Sequence, residues 1–217
     1  MGAMTKLPYP EVARALPPGW TLLLGRIATR IPTGDFATGL ALIDRIGAAA
    51  QAADHHPDLD LRPSAVGVLL SSHDEGGVTE RDLALARTIS DLAAQAGLSP
   101  SSVGVVQLEL GLDSPDRAAV APFWAAVLGA TAHDIEVVDE TGQLPTIWFQ
   151  ESGRDEPRQR WHHDLWVDPA EVQPRIDAAV AAGGRLVSDA EAPSFWVLED
   201  PEGNKICLCT WQDRQVS

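Results

Sequence analysis

From Trp20 to Ile31 apolar and polar positions alternate in two phases, Trp20, Leu22, Leu24 and then Leu23, Ile27, Ile31. A period of two predicts one or two strands there. The period then lengthens. Phe36, Leu40, Ile43, Gly47 and Ala50 recur at helical spacing behind Asp35, a residue suited to cap a helix start, and Pro57 stands where that helix must have ended. A short extended piece around Leu59 to Arg62 precedes a clear strand, Val66, Val68, Leu70, which runs into Ser71-Ser72-His73-Asp74. Gly76-Gly77 turns the chain. Thr79 with Asp82 three residues on reads as a capping box, and Leu85, Ile89, Leu92 and Ala96 give a second helical stripe that Gly97 stops. Strands and helices in this order predict an α+β domain over residues 17–98.

Residues 99–104, within Leu-Ser-Pro-Ser-Ser-Val-Gly, have the composition of a linker. Beyond them the pattern repeats. Strand Val105 to Leu110, Asp113-Ser-Pro-Asp, a helix to Leu128, Gly129 and a strand from Ala130 form one series. Strand Trp161 to Val167, Asp168-Pro169, a helix to Ala182, Gly183-Gly184 and a strand from Arg185 form the other. Further strands close each unit: Thr146 to Gln150 in the first, Phe195 to Glu199 and Lys205 to Trp211 in the second. A tandem βαβββ plan over residues 105–213 results. Residues 1–16 form a separate N-terminal segment, in which Met1-Gly2-Ala3-Met4 reads as a cloning remnant before a start at Met4.

Charge separates the two halves. The 217 residues carry a net charge of −15, of which residues 1–100 contribute −3 and residues 101–217 contribute −12. With no Lys/Arg cluster to form a basic face, nucleic acid is not an expected partner. No apolar run approaches a membrane span, so a soluble, cytoplasmic protein is expected. Cys207 and Cys209 lie two apart on one strand, where a bridge between them is poorly placed, and reduced thiols agree with that compartment. Nine of the twelve aromatic residues follow residue 100, which raises the expectation of an apolar enclosure in the second half.

The candidate chemistry of the first half lies in His55-His56-Pro57, Ser72-His73-Asp74, Gly76-Gly77-Val78-Thr79 and Arg81-Asp82. With Trp20 and Phe36 upstream, these segments resemble pterin-4a-carbinolamine dehydratases from about Pro17 to Leu98. The resemblance implies a hydro-lyase that converts a 4a-hydroxytetrahydropterin to the quinonoid dihydropterin, with the pterin as substrate and no cofactor. It implies catalytic residues His55, His56, His73 and Asp82. Asp82 would orient an imidazole or stabilise its cation, His56 would position the substrate, and His55 and His73 are alternatives for acid and base. Pro57, Ser71, Ser72 and Asp74 would bind substrate, with main-chain groups of residues 71–74 holding the polar pterin edge. The chemistry suits imidazole on its own terms. One proton must reach the leaving hydroxyl and another must leave the adjacent ring nitrogen, and a group with an ordinary pKa of about 6.5 can do either near neutrality. Leu59 and Pro63 stand where the family often has aromatic residues. Members associate, so a homo-oligomer is expected.

From Val105 to about Trp211, Phe123-Trp124, Arg160-Trp161-His162-His163-Asp164-Leu165 and Asp200-Pro201-Glu202-Gly203-Asn204 resemble the glyoxalase/bleomycin-resistance superfamily, also called vicinal oxygen chelate proteins. Where metal-using members carry ligands, this chain has Gln107, a residue near Phe149 or Gln150, His162 and Cys207. A mixed set without a carboxylate matches neither hard-cation nor closed zinc sites, so no metal is expected. Trp124, Trp148, Trp161, Trp166 and Trp196 are the candidates for a pocket taking an apolar or aromatic small molecule. Two other functions stay open: a pterin-binding protein without catalysis, and a metal-dependent lyase or dioxygenase working through the second half.

Overall fold

The computed structural model of the chain describes residues 5–153, 160–199, 203 and 205–214, Phe123 and Val127 by backbone alone. It divides into two compact units, residues 1–105 with 211–217, and residues 106–210. Both are mixed α+β. Among the described residues no helix is long and apolar enough to cross a membrane.

The first unit runs α1 (Tyr9–Ala15), β1 (Thr21–Leu23), β2 (Arg26–Pro32), α2 (Phe36–Ala53), β3 (Asp58–Arg62), β4 (Ala65–Leu70) and α3 (Glu80–Gln95). Its strands form an antiparallel sheet in the order β1-β2-β4-β3. Leu22, Ile27 and Ile31 from β1 and β2, Val66 and Leu70 from β4, Leu42 and Ile46 from α2, and Leu83 and Ile89 from α3 share one core.

The helix α2 starts where the pattern predicts, with Thr38 N–H donating to Asp35 Oδ1 at 2.7 Å. Its buried line is different. Gly39, Leu42, Ile46 and Ala50 face the core, while Phe36 and Leu40 are 52% and 53% exposed. Closest approach decides the phase: a Cβ on Gly39 would sit 2.8 Å from Leu61 Cδ1, so the helix comes down on the sheet at its small residue and rotates Phe36 and Leu40 outward. The helix also ends before Pro57. Asp54 takes the left-handed conformation (φ 47°), and its own N–H and that of His55 bond back to the last turn, to Gln51 O and Ala50 O.

The expected boundaries shift for three reasons. Val12 of α1 is fully buried in the first core, so the described residues 5–16 are not a separate segment. The expected linker is docked, because Ser101 and Arg30 exchange two backbone hydrogen bonds (2.8 and 3.0 Å) beside the close pass of Pro100 over Gly19. Trp211 packs against the first unit's core and not with the second.

The second unit runs β5 (Gln107–Ser114), α4 (Arg117–Leu128), β6 (Thr131–Ala132), β7 (Glu136–Val138) and β8 (Ile147–Glu151), then β9 (Trp161–Trp166), α5 (Val172–Ala181), β10 (Arg185–Ser188), β11 (Phe195–Glu199) and β12 (Lys205–Cys209). This is the tandem βαβββ plan. Its eight strands form one sheet in the order β10-β11-β12-β9-β5-β8-β7-β6, with β5 and β9 antiparallel at the centre and each flanked by a parallel partner. Period-two alternation splits the sheet. Leu112, Ile147 and Phe149 pack under α4, and Leu198 and Leu208 under α5, so among the described residues both helices of this unit lie on one face of its sheet and neither on the other. The expected turn at Asp200-Pro201-Glu202 and Asn204, and the N-terminal Met1–Met4, lie outside the described residues.

The two lines along α2 differ in a measurable way. Leu42→Ala or Ile46→Ala is expected to cost about 2–5 kcal/mol, whereas Leu40→Ala, measured at protein concentrations low enough to keep the chain monomeric, stays within about 0.5 kcal/mol. Denaturant unfolding of the full chain checks both; equal losses at positions 40 and 42 would contradict the assigned phase.

Candidate active site

Asp82 is fully buried in the first turn of α3. Its Oδ2 accepts the N–H of Thr79 at 2.7 Å and the hydroxyl of Ser72 at 2.8 Å, and its Oδ1 lies 2.7 Å from His55 Nε2. The Thr79 hydroxyl accepts the Arg81 N–H at 3.1 Å and stands 2.9 Å from Ser72 Oγ. Helix capping and imidazole anchoring are therefore performed by one carboxylate. The sheet register explains how three segments meet there. Asp58 pairs with Leu69, so the chain entering β3 runs beside the chain leaving β4 and brings His55 near Ser72.

His55 is buried at 8% exposure, its backbone held by the cap of α2. A carboxylate oxygen only accepts, so in the neutral ring the proton sits on Nε2 and the lone pair on Nδ1. His73 opens the 3-10 turn His73–Glu75 and is exposed. His56 is exposed, with Nε2 3.4 Å from Gln51 Oε1, and Pro57 and Ser71 are half-buried. Ser72 is buried. Its N–H bonds to Gly77 O, its carbonyl accepts from Glu75 and Gly77, and its hydroxyl is committed to Asp82, so it serves the turn and the carboxylate.

Asp74 is exposed and pairs with Arg81 Nη2. That hydrogen bond holds the Asp74 carboxyl below its ordinary range, and the charges of Arg81 and His55 act in the same direction. A depressed carboxyl pKa makes the pair's contribution complete above about pH 3.9 and lost as the pH falls through the lower folded value. Arg81 and Gln51 are the contacts that sequence reading passed over. Arg81 stood inside the quoted motif, and its signal was a cation in the first turn of a helix, where the dipole disfavours it.

In the second unit the face opposite α4 and α5 carries Glu109 and Asp113 of β5, Trp148 of β8, and His162, Asp164 and Trp166 of β9. Trp166 Nε1 donates to Glu109 Oε2 at 3.0 Å, Trp148 Nε1 donates to Asp164 Oδ2 at 3.2 Å, and His162 Nε2 lies 3.0 Å from Asp113 Oδ1. Trp148 lies over Gly111, where a Cβ would be 2.8 Å from its ring. The five-tryptophan pocket does not form. Trp124 and Trp161 make an edge-to-face pair (5.1 Å, 87°) on the helix side, and Trp196 packs under α5. The expected ligand quartet is also dispersed. Gln107 lies opposite Trp166, four residues along β5 from the Gly111 that faces His162, a separation of about 13 Å, and Phe149 belongs to the helix-side core, whereas its alternative Gln150 pairs with Asp113 on the face of His162. Across the centre, Glu109, Asp164 and Cys207 stand in one row, so carboxylates are present where none was expected. Among the described residues no group of three or more His, Cys, Asp or Glu side chains is arranged to hold a metal ion.

Residues 5–92 match the family model for pterin 4 alpha carbinolamine dehydratase, and residues 109–209 match that for a glyoxalase-like domain. A protein of Nocardia farcinica, provisionally named pterin-4-alpha-carbinolamine dehydratase, is 42% identical over 85 residues, 38% of this chain and 90% of its own length. A Chloroflexus aurantiacus protein with the same provisional name is 36% identical over 91 residues, 41% of this chain and 98% of its own. Among solved structures, a transcriptional coactivator/pterin dehydratase from Brucella melitensis is 32% identical with a TM-score of 0.37, covering 39% of this chain and 90% of that one. A glyoxalase/bleomycin resistance protein/dioxygenase superfamily member from Vibrio splendidus is 13% identical with a TM-score of 0.34, covering 49% and 99%. Through its N-terminal part the chain belongs to the pterin-4a-carbinolamine dehydratase family, and a glyoxalase-like domain follows in the same chain.

The hub at Asp82 has a stability signature. Asp82→Ala leaves buried donors on Thr79, Ser72 and His55 without an acceptor and is expected to cost about 1–3 kcal/mol. Ser72→Ala removes one donor to Asp82 and the contact with the Thr79 hydroxyl but leaves the bonds of Asp82 to Thr79 N–H and His55 in place, so its cost should be smaller. Thermal unfolding of the two variants checks the order, and the reverse order would contradict the hub.

Proposed function

We propose that the first unit dehydrates a 4a-hydroxytetrahydropterin to the quinonoid dihydropterin. The observation that carries this reading is the buried His55–Asp82 pair at 2.7 Å, with Asp82 saturated by Thr79 and Ser72. His55 Nδ1 is the base. It takes the proton from N5 of the substrate, and Asp82 stabilises the imidazolium that forms. The N5 electron pair becomes the C4a=N5 double bond, the C4a–O bond breaks, and the hydroxyl leaves as water with a proton from His73. The exposed His73 can regain that proton from solvent, while His56 and Pro57 position the ring. The reaction needs no cofactor, because the pterin carries the electrons that move.

A homo-oligomer in the cytoplasm belongs to the same reading. Phe36 and Leu40, each about half exposed on α2, offer apolar surface to a second copy. Sedimentation of the wild type and a Phe36→Ser, Leu40→Ser variant tests this, and a monomeric wild type would refute it.

For the second unit we propose binding of a flat aromatic molecule that carries N–H donors. Trp148 over Gly111 offers a ring to stack on, and Asp113 and Asp164 keep acceptor capacity beyond their imidazole and indole partners. This narrows the expected apolar or aromatic ligand to a donor-bearing one.

Two measurements test these readings. In stopped-flow dehydration of synthetic 4a-hydroxytetrahydropterin, His55→Ala and His73→Ala should each lower turnover about a hundredfold, and His56→Ala should chiefly raise KM. Wild-type protein that binds the pterin without turnover would identify a binder and sink the enzyme. In a fluorescence titration with amino-substituted heterocycles, wild-type protein should quench and Trp148→Phe should not; a flat response from both would remove the ligand.

A further inference from the structure

The pair between Arg81 and Asp74 has no account in the fold. Arg81 occupies the second position of α3, where a cation opposes the helix dipole, so it does not serve the helix. Asp74 is the only hydrogen-bond partner of its guanidinium among the described residues, and the buried Nε donates to nothing there. Exposed ion pairs add little to stability, and Asp74 is 62% exposed. What the pair does is join two segments. Asp74 belongs to the three-residue turn that begins at His73, and Arg81 is rigidly placed on α3 next to Asp82, which anchors His55.

Resting on the dehydratase reading, we propose that Arg81 is a positioning residue: through Asp74 it holds the His73 turn to the helix that carries the His55–Asp82 pair, and so fixes the distance between the two working imidazoles. The backbone bonds of the turn close it on itself, from Glu75 N to Ser72 O and from Gly76 N to His73 O at 3.1 and 3.4 Å, the second long. No side-chain hydrogen bond caps the turn at its start. Ser72, just before the turn, is bonded to Asp82 and Thr79, so the Asp74 side chain is a second tie to α3, the one from within the turn. Arg81 carries a raised pKa from this bond and from the neighbouring charges of Asp82 and Glu75, so it stays a cation under all conditions of catalysis. The two ties divide labour: Ser72 anchors the root of the turn, and Arg81 anchors the turn that carries His73.

The test is a double-mutant cycle on the full chain with Arg81→Gln, Asp74→Asn and their combination, measured by stopped-flow dehydration beside His73→Ala. Each single variant should lower kcat about tenfold or more, since small misplacements of a reacting group cost rate steeply, with KM within about twofold. Melting temperatures should stay within about 2 °C of wild type. The double variant should be no slower than either single one, and Arg81→Lys should recover part of the loss. A kcat within twofold of wild type for Arg81→Gln, with His73→Ala slow, would overturn the clamp and leave the dehydratase reading standing. Losses that multiply in the double variant would also overturn it. A wild-type rate for His73→Ala would remove the acid role and the clamp together.

Discussion

A buried carboxylate must be surrounded by donors or it does not stay buried. Asp82 meets that condition by drawing on three segments at once, the start of α3 through Thr79, the end of β4 through Ser72, and the exit of α2 through His55. None of these segments could move alone without leaving the carboxylate short of a donor in an apolar interior. The constraint therefore couples the packing of both long helices against the sheet to the placement of one imidazole. It also explains why the exit of α2 is a left-handed aspartate closed back onto the last turn: the chain must reverse within one residue to bring His55 under the helix that holds Asp82.

Much of the first unit was legible because its signals are local. The capping box at Thr79 and Asp82, the alternation in β4 and the glycine stop after α3 each rest on neighbours in the chain. The phase of α2 was not legible, since two apolar lines run along it and the choice depends on Leu61, a residue on another element that admits only a glycine opposite it. The helix α1 escaped notice for a similar reason: its seven residues bury one side chain fully, Val12, and such a short stretch has no period to read. At the site, the histidines and Asp82 could be found through the resemblance that their motifs carry. Their unequal burial could not, because it comes from the register of β3 against β4. Nor could the service of Ser72 to Asp82, where the motif suggested a ligand.

The second unit illustrates how strand parity sorts chemistry. Its βαβββ repeats were visible from strand, helix and glycine order. Tryptophan was read as apolar bulk, but parity sends Trp161 and Trp196 to the helix side, where Trp161 meets Trp124 of α4, and sets Trp148 and Trp166 on the other, where each indole N–H meets a carboxylate. Indole is amphipathic, so its position on a half-polar face follows from its N–H as much as from its rings. The acidity of this half of the sequence thus has a structural counterpart in Glu109, Asp113 and Asp164, which gather on the face opposite this unit's two helices.

The return of Trp211 to the first unit changes how the two halves are connected along the chain. A domain appended after another shares one crossing of the chain with it. Here residues 106–210 lie between two stretches of the first unit, so the chain crosses from one unit to the other twice. The consequence is evolutionary: the second half reads as an insert that could be exchanged for another, whereas a truncation reaching into it from the C-terminal side would also take Trp211 from the core of the first unit.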